Sequence, residues 1–228
     1  MTDPILKINN LNLFLGRRAL RRQILHDINL ELMPGEIVIM MGPSGAGKTS
    51  LLTLIGGLRT IQDGSLQLMG QEMAGAPASR LVFMRRQIGY IFQGHNLMPF
   101  LTARQNVQMP FELYQISNRR AKATAEQMLQ AVKLGDKVNY YPQQLSIGQK
   151  QRVAIARALV THPRLILADE PTASLDSKTG RDVIELMQRL AKDQGSAILM
   201  VTHDNRILDV ADRIISMEDG RLLERVYS

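Results

Sequence analysis

The order of apolar and polar residues divides the chain into strands, helices and one long segment without a strand pattern. Continuous apolar runs at 37–41, 165–168 and 197–201 predict strands over 36–41, 164–169 and 197–201. An unbroken run such as 37–41 is typical of a parallel strand covered on both faces. Alternation over residues 5–15 and 24–32 predicts two half-buried antiparallel strands joined by a basic loop. The chain is therefore expected to be α/β.

Shorter elements complete this pattern. Residues 65–68 and 88–92 are predicted to be short strands. Two further strands, 213–217 and 221–226, are predicted to be joined by a hairpin turn at Asp219-Gly220. Helices are expected at 51–55, within 77–86, and at 118–134, 150–160 and 178–194. Because residues 94–144 show no strand pattern and include an alanine-rich helical period, they are interpreted as a helical insertion.

A glycine-rich loop lies between the strand at 36–41 and the helix that follows it. It reads Gly42-Pro43-Ser44-Gly45-Ala46-Gly47-Lys48-Thr49-Ser50 and has the spacing G-x-x-x-x-G-K-T. Its glycines let successive N–H groups point inward, toward the positive end of the helix, which predicts a phosphate-binding cradle. Lys48 would reach the outer phosphates, and the Thr49 hydroxyl would ligate a magnesium ion that the nucleotide carries.

Polar side chains follow three other strands at their carboxyl ends, where α/β sheets bind ligands. Gln93 could offer its amide oxygen to magnesium or to an attacking water. Asp169 would hold the magnesium ion, and Glu170 would accept the proton of a water that attacks the γ-phosphate. His203 could hydrogen-bond a phosphate oxygen or position that water.

Two further residues are candidates for binding the nucleotide. Ser146 has the side chain of a helix N-cap, so it predicts a second anion-binding helix end, which one nucleotide need not share with the first within one chain. Phe14 could stack on a purine or simply pack in the first sheet, and these alternatives stay open.

Composition narrows the function classes. The 228 residues include no cysteine, which excludes disulfides and thiolate metal sites and fits a cytoplasmic protein. No apolar stretch approaches the roughly 20 residues that span a bilayer, so a soluble chain without signal peptide is expected. The net charge of +7 and the basic residues at 17–22 fit solvated surface better than nucleic-acid binding, because aromatic residues make up only 4%. A basic face could also lie near anionic lipid.

The order of these motifs resembles that of the ATP-binding subunits of ABC transporters over nearly the whole chain. The most specific part is Leu145-Ser146-Ile147-Gly148-Gln149 with the basic and apolar helix behind it, followed by Leu167-Ala168-Asp169-Glu170-Pro171-Thr172. Within the family the chain is similar to the lipoprotein-releasing, macrolide-efflux and cell-division branch, and closest to the DevA-type ATPases of glycolipid exporters. Residues 54–58, 92–93, 101–107 and 201–205 carry this finer resemblance.

The resemblance implies a RecA-like P-loop core with a peripheral antiparallel β-subdomain, formed by residues 1–93 and 161–228, and a helical subdomain at 94–160 within one domain. It implies an ATPase that dimerises, with each ATP and its Mg²⁺ between the loop 42–50 of one copy and Ser146, Ile147, Gly148 and Gln149 of the other. Ser174, Leu175 and Asp176 would form the dimer loop. Opening and closing of the dimer would drive a separate membrane permease through the groove around residues 93–101, at the cytoplasmic face of the inner membrane. This branch often includes a periplasmic adaptor as well.

One departure from the family pattern concerns Ile147, which stands where the family usually has a glycine. Isoleucine disfavours positive φ and would bring a branched side chain near the phosphate, so a working but slower site is expected. Two other function classes are alternatives to a transporter ATPase. A soluble ABC ATPase acting on nucleic acid or ribosomes lacks support, because no coiled-coil arm, zinc-binding cysteine or second cassette is present. A regulatory ATP-binding module would need neither Glu170 nor His203.

Overall fold

The fold is known from a computed structural model that describes residues 3–16 and 18–223. Arg17 of the basic loop and residues 224–226 of the last predicted strand lie outside the described residues. Within these ranges the strands are β1 Leu6–Leu15, β2 Arg22–Leu32, β3 Ile37–Met41, β4 Asp63–Leu68, β5 Gln71–Glu72, β6 Ile88–Ile91, β7 Leu165–Asp169, β8 Ala197–Val201, β9 Arg213–Glu218 and β10 Arg221–Leu223. The α-helices are α1 Lys48–Ile55, α2 Ala78–Arg85, α3 Ala103–Gln108, α4 Asn118–Ala131, α5 Ile147–Leu159 and α6 Ser177–Gln194.

Two sheets organise the molecule. The larger one has the order β10-β9-β3-β8-β7-β6, and its neighbours are parallel except for the β9–β10 pair. The smaller sheet has the order β2-β1-β4-β5 and is antiparallel throughout. This arrangement confirms the predicted α/β fold with an antiparallel β-subdomain, and the alternating and continuous apolar patterns fall on the two kinds of sheet as expected.

The continuous apolar strands contribute side chains to two cores, because successive side chains of a strand point to opposite faces of the sheet. In β3, Ile37 and Ile39 join a core with the helices α3 to α6, whereas Val38 and Met40 join a core with α1 and the antiparallel sheet. Strands β7 and β8 alternate in the same way. The parallel sheet is therefore covered on both faces, which is why β3, β7 and β8 contain no polar positions before their carboxyl ends.

The segment between β6 and α5 is helical, as predicted. It contains α3, α4 and short 3₁₀ turns at 109–113, 135–137 and 142–144. Side chains cap its α-helices: Thr102 is the N-cap of α3, and Ser117 is the N-cap of α4. Helix α5 packs against α3, α4 and α6, and also against β6. The division into a core at 1–93 and 161–228 and a helical subdomain at 94–160 stays a prediction.

Two helices begin one turn earlier than the apolar period predicts. Helix α1 begins at Lys48 rather than at residue 51, and α5 begins at Ile147 rather than at residue 150. Their first turns carry glycine, polar or exposed residues, so apolar periodicity does not mark them. Local N-terminal features place these starts instead, namely the glycine loop before α1 and the Ser146 cap before α5.

The C-terminal hairpin lies against the glycine-rich loop. Asp219 and Gly220 form its two-residue turn with φ of 45° and 74°. The N–H of Gly220 donates to the carbonyl of Ala46 at 3.0 Å, and its carbonyl accepts from the N–H of His26 at 2.8 Å. The hairpin therefore connects β2 to the loop that precedes α1. Among the residues described, no helix is long and apolar enough to span a membrane.

Candidate nucleotide site

An open cleft of about 870 Å³ lies at the carboxyl edge of the parallel strands. The structure brings most of the predicted site residues to it: Ser44, Gly45, Gly47, Lys48, Thr49, Ser50, Gln93, Asp169, Glu170, Leu175 and His203. The cleft is also lined by seven residues that the sequence analysis did not assign to the site, namely Leu15, Ile24, Thr172, Ala173, Val201, Asp204 and Arg206. The motifs from separate strands therefore meet as predicted.

Backbone geometry shapes the glycine-rich loop. Gly42, Gly45 and Gly47 have φ of 146°, 84° and 104°, a region that favours glycine. A Cβ at Gly42 would lie 2.0 Å from the carbonyl oxygen of Met217 in β9, so the close packing of the loop on this strand also requires glycine. Gly47 is the N-cap of α1 and offers no side-chain cap. The N–H groups of the first turn are therefore available to an anion.

Lys48 is folded over the loop that carries it. It is 6% exposed, and its Nζ donates to the carbonyls of Gly42 at 2.7 Å and Pro43 at 2.8 Å. Burial lowers the pKa of this ammonium, while the carboxylates of Glu170 and Asp169 act in the opposite direction. The loop backbone thus holds the cation at the cleft in front of two acids.

Asp169 ends β7 and is 6% exposed. Its Oδ1 accepts a hydrogen bond from the Thr49 hydroxyl at 3.3 Å, across from the start of α1. Burial raises the pKa of Asp169, and the Thr49 hydrogen bond and the Lys48 charge lower it. Carboxylate, hydroxyl and amide oxygens are the ligands that Mg²⁺ prefers, so Asp169, Thr49 and Gln93 fit that ion.

The described residues contain no group of three His, Cys, Asp or Glu that could hold a metal by itself.

Glu170 and His203 face each other beyond Asp169. His203 Nε2 lies 3.3 Å from Glu170 Oε1, and the His203 N–H donates to Oε2 at 3.4 Å. Burial raises the pKa of Glu170, while His203 and Lys48 lower it and Asp169 adds to the increase. Oε1 is buried without a hydrogen-bond partner in the described part of the chain. A carboxylate oxygen in this state can accept a hydrogen bond from an incoming water.

Gln93 lies at the corner of a turn after β6. The His95 N–H donates to the carbonyl of Phe92 at 3.0 Å, which places Gln93 and Gly94 at the two central positions of the turn. The side chain of Gln93 is exposed to the cleft. The structure therefore places this amide at the same site as Lys48 and Asp169.

The Ser146 helix end does not line this cleft. Ser146 Oγ accepts from the N–H of Gln149 at 3.2 Å, and Gln149 Oε1 accepts from the N–H of Ser146 at 2.9 Å, which forms a capping box. Ser146 and Ile147 are exposed. The predicted N-cap is confirmed, and the separation of the two anion-binding ends within one chain agrees with expectation.

The conformational concern about Ile147 is wrong. Ile147 is the first residue of α5 and does not have a positive φ, because the capping box starts the helix before it. Its side chain is 51% exposed, so isoleucine fits here without backbone strain. Gly148 has the sterically critical position, since a Cβ there would lie 2.7 Å from Thr179 Cγ2 in α6. A slower site due to the Ile147 side chain stays a prediction.

The segment Ser174, Leu175 and Asp176 connects the cleft to α6. Leu175 lines the cleft, and Asp176 caps α6 by accepting from the N–H groups of Lys178 and Thr179 at 3.1 and 3.0 Å. A hydrogen bond from the Thr179 side chain, together with those from the two N–H groups, holds the pKa of Asp176 below its usual value. A role of this segment in dimerisation stays a prediction.

Phe14 does not line the cleft, although its neighbour Leu15 does. The Arg21 guanidinium lies 4.2 Å from the centre of the Phe14 ring, and the Gln62 amide pairs with the backbone of Phe14 at 3.0 Å in both directions. A base could stack on this ring face only after Arg21 moves away. The structure thus places Leu15 and Ile24 as the apolar wall of the cleft, and stacking on Phe14 stays a prediction.

Sequence reasoning missed Asp204 and Arg206 as cleft residues. Asp204 accepts from Arg206 Nε and Nη2, each at 2.7 Å, and Arg206 also donates to the Ser177 hydroxyl at the start of α6. The signal was available, because both residues follow His203 at the carboxyl end of β8. Their ion pair fastens the segment that carries His203 to α6.

Taken together, the loop before α1, the acids after β7 and the amide and imidazole on neighbouring strands define an ATPase of the P-loop class. The sequence profile described as "ABC transporter" matches residues 25–173, which is more than half of the chain. The chain belongs to the ABC transporter family, as the resemblance predicted, and it is an ATP-hydrolysing cassette of that family.

Relatives within the family differ in what their names describe. The chain is 42% identical over 212 residues to the methionine import ATP-binding protein MetN of Corynebacterium glutamicum, which covers 92% of this chain and 59% of that protein. It is 40% identical over 223 residues to the macrolide export ATP-binding/permease protein MacB of Brucella melitensis, covering 96% of this chain and 34% of MacB. The chain therefore spans only part of the length of these relatives.

A solved structure agrees with the fold. The dimeric post-hydrolysis state of the ATP-binding cassette MJ0796, bound to ADP and Pi, matches with a TM-score of 0.88 and 36% sequence identity. The match covers 96% of this chain and 98% of that chain. It confirms the ABC cassette fold, with its antiparallel β-subdomain and helical insertion.

Proposed function

We propose that the chain hydrolyses ATP as a homodimer, with each nucleotide between residues 42–50 of one copy and residues 146–149 of the other. The observation that carries the proposal is the position of Ser146. The capped end of α5 is exposed and free of the cleft, so one chain presents two anion-binding helix ends that its own nucleotide does not bridge. A second copy supplies the missing contact. The dimeric MJ0796 structure supports this arrangement.

The chemistry follows from the cleft geometry. Lys48 and the N–H groups of the loop bind the β- and γ-phosphates, and Thr49, Asp169 and Gln93 would hold a Mg²⁺ ion, which would neutralise phosphate charge. Glu170 accepts a proton from the water that attacks the γ-phosphorus, and the bond to the bridging oxygen breaks to release ADP. His203 donates to a γ-phosphate oxygen or orients the water. Hydrolysis thereby detaches the γ-phosphate that bridges the two copies.

The trapped dimer tests the proposal. A Glu170→Gln chain should bind ATP, hydrolyse it about 10²–10⁴-fold more slowly because the general base is lost, and double its molar mass with MgATP. The control Glu185→Gln changes an exposed glutamate of α6, and this chain should hydrolyse ATP at the normal rate.

Adding Ser146→Glu to Glu170→Gln should abolish the dimer and leave ATP binding, because an acid at the α5 end repels phosphate. Normal turnover in Glu170→Gln, or dimers that survive Ser146→Glu, would contradict the proposal. Light scattering and nucleotide-binding measurements provide the data.

We further propose that the dimer drives a separate membrane permease as an exporter, from the cytoplasmic face of the membrane and by way of the groove at residues 93–101. The cargo is a lipid, glycolipid, lipoprotein or drug, and a periplasmic adaptor joins through the permease. The export name of MacB supports this direction, together with the motifs shared with its branch. Import is the second candidate, because MetN, whose name describes methionine import, is 42% identical.

Cells that lack the chain distinguish these directions. An exporter predicts unchanged methionine uptake and either higher macrolide sensitivity or retention of a lipid or lipoprotein inside the cell. Loss of methionine uptake would instead identify an importer. Purification of the Glu170→Gln chain from detergent-solubilised membranes should recover a multi-span permease; recovery of ribosomes or DNA instead would favour the nucleic-acid class.

A further inference from the structure

Arg157 is a buried cation without a carboxylate partner. It lies in the last turn of α5, is 9% exposed, and forms no ion pair with any residue of 3–16 or 18–223. Its Nη1 donates to the carbonyl of Asn96 at 2.6 Å, and its Nη2 donates to the carbonyl of His95 at 2.7 Å. Burial lowers the pKa of this guanidinium. Burying a charge costs free energy, so the burial of Arg157 with only two backbone carbonyls as partners requires an explanation.

Both carbonyls lie at the end of the segment 92–96, which contains the turn that places Gln93 at the cleft. His95 closes this turn by donating to Phe92, and Asn96 donates to the carbonyl of Gly94 at 2.7 Å. His95 and Asn96 have φ of 61° and 48°, which non-glycine residues adopt where their surroundings hold them. Arg157 therefore fixes the far end of a strained turn whose corner is Gln93.

The same helix carries the Ser146 end. Ser146 caps the start of α5, and Arg157 follows at a distance of roughly 17 Å along the helix axis, at about 1.5 Å per residue. A rigid helix of this length transmits displacement of one end to the other. The turn at Gln93 is thus attached to the helix whose opposite end we expect to meet the second copy's nucleotide.

We propose that Arg157 is a positioning residue for ATP hydrolysis, which holds the Gln93 amide at the cleft by clamping the carbonyls of His95 and Asn96. The inference rests on the role proposed above for Gln93. A planar guanidinium suits this task because two of its N–H groups diverge in a fixed geometry toward two acceptors, whereas a lysine ammonium is a single flexible point charge. Among the described residues, the hydrogen bonds of Arg157 go to the carbonyls of His95 and Asn96 and not to the loop 42–50 or the acids of the cleft, so it acts through the turn.

The test uses the full-length chain with Arg157→Met and the milder Arg157→Lys. Arg152→Met is the matched control, since Arg152 lies on the same helix and donates at 3.5 Å to the carbonyl of Val132, away from the turn. Arg157→Met should lower kcat about tenfold or more, because misplacing a catalytic group by about 1 Å costs up to about 10²-fold. KM for ATP should stay close to the parental value. Arg157→Lys should fall between, and Arg152→Met should match the parent.

Two further readouts separate positioning from a purely structural role. In Arg157→Met the amides of His95 and Asn96 should exchange hydrogen faster, while those of the loop 42–50 do not. The double variant Gln93→Ala/Arg157→Met should be no slower than Gln93→Ala alone, because both changes remove the same contribution. If Arg157→Met does not fold by circular dichroism, the same cycle is measured with Arg157→Lys.

The outcomes are distinguishable. A folded Arg157→Met chain with parental kcat, or a double variant slower than both single variants, would overturn the clamp and leave the proposed ATPase dimer untouched. Parental kcat in Gln93→Ala would overturn both the role proposed for Gln93 and the inference that rests on it.

Discussion

Glu170 is held in a left-handed backbone conformation, with φ of 50°, directly after the last residue of β7. For a residue other than glycine this conformation costs on the order of 1–3 kcal/mol and persists only where neighbours impose it. Its N–H donates to the carbonyl of Val201 at 2.9 Å, and its carbonyl accepts from Ala173 at 3.3 Å. The end of β8 therefore aims the Glu170 carboxylate, and this agrees with the role of a general base.

The pH dependence of ATP turnover should report the burial of Glu170. The carboxylate works as a base only when ionised, and burial raises its pKa, so kcat should fall as pH decreases through a midpoint above the ordinary glutamate value of about 4.3. The groups that face it are His203, Lys48 and Asp169. Steady-state kcat at saturating MgATP gives the profile, with circular dichroism to show that the fold persists at each pH.

His203 needs a control because its imidazole contacts the Glu170 carboxylate. In His203→Gln the acid limb should remain, although kcat is lower throughout and the midpoint moves up, since His203 lowers the pKa of Glu170. An acid limb that disappears in His203→Gln would contradict this account of Glu170.

At the scale of elements, the C-terminal hairpin supports the phosphate loop. The turn between β9 and β10 hydrogen-bonds Ala46 on one side and His26 on the other, and β9 packs under Gly42. A Cβ at Gly220 would lie 2.1 Å from the carbonyl oxygen of Ile24. The loop conformation thus depends on an element that is distant in sequence and contributes no side chain to the chemistry.

Two glycines with matched backbone angles test this support. Gly220 has φ of 74° and no room for a methyl group, whereas Gly70 has φ of 73° and nothing within 4 Å of an added Cβ. Gly70→Ala should cost about 1–2 kcal/mol from backbone strain alone. Gly220→Ala should cost a further ~1–3 kcal/mol through overpacking and should also raise KM for ATP.

Urea unfolding and ATP kinetics measure the two effects. Equal losses of stability in both variants would show that the hairpin does not press on β2. An unchanged KM in a destabilised Gly220→Ala chain would show that the loop keeps its shape without the hairpin.

At the scale of the whole molecule, the site joins two cores that share one sheet. The loop 42–50 and α1 belong to the core under the antiparallel sheet, whereas the helices around α5 belong to the core on the opposite face. The parallel strands contribute to both cores, and their carboxyl edge carries the cleft. Nucleotide bound at this edge contacts the loop on one side and the Gln93 turn on the other, so it should stabilise the entire fold.

Thermal unfolding should show this stabilisation. At a concentration 100-fold above Kd, a ligand that binds only the folded state contributes about 2.7 kcal/mol, which for a chain of this size corresponds to roughly 5–10 °C in Tm. Glu170→Gln should keep the shift with MgATP, because it loses hydrolysis and not binding. Lys48→Ala should lose most of it.

Lys192→Ala is the matched control, since it removes an exposed lysine from the last turn of α6. Its MgATP shift should equal that of the parent chain. A full shift in Lys48→Ala would contradict the assignment of Lys48 to the phosphates, and a shift of the same size with Mg²⁺ alone would show that nucleotide is not the stabilising ligand.

Local sequence determined the features of this protein that depend on neighbouring residues. The spacing from Gly42 to Thr49 predicted the phosphate loop, the apolar run of β3 predicted a strand buried on both faces, and Ser146 with Gln149 sufficed to start α5. Glycine freedom, side-chain period and helix capping act within a few residues, which is why they can be read before the fold is known.

Only the tertiary structure decided the features that depend on contacts between distant segments. The order β3-β8-β7-β6 brings His203, Asp169 and Gln93 to one edge, and it sets the left-handed turn at Glu170. Packing also decided that Leu15 rather than Phe14 lines the cleft and that Arg157 reaches the Gln93 turn. These outcomes follow from register, burial and close approach across the chain, which no local pattern encodes.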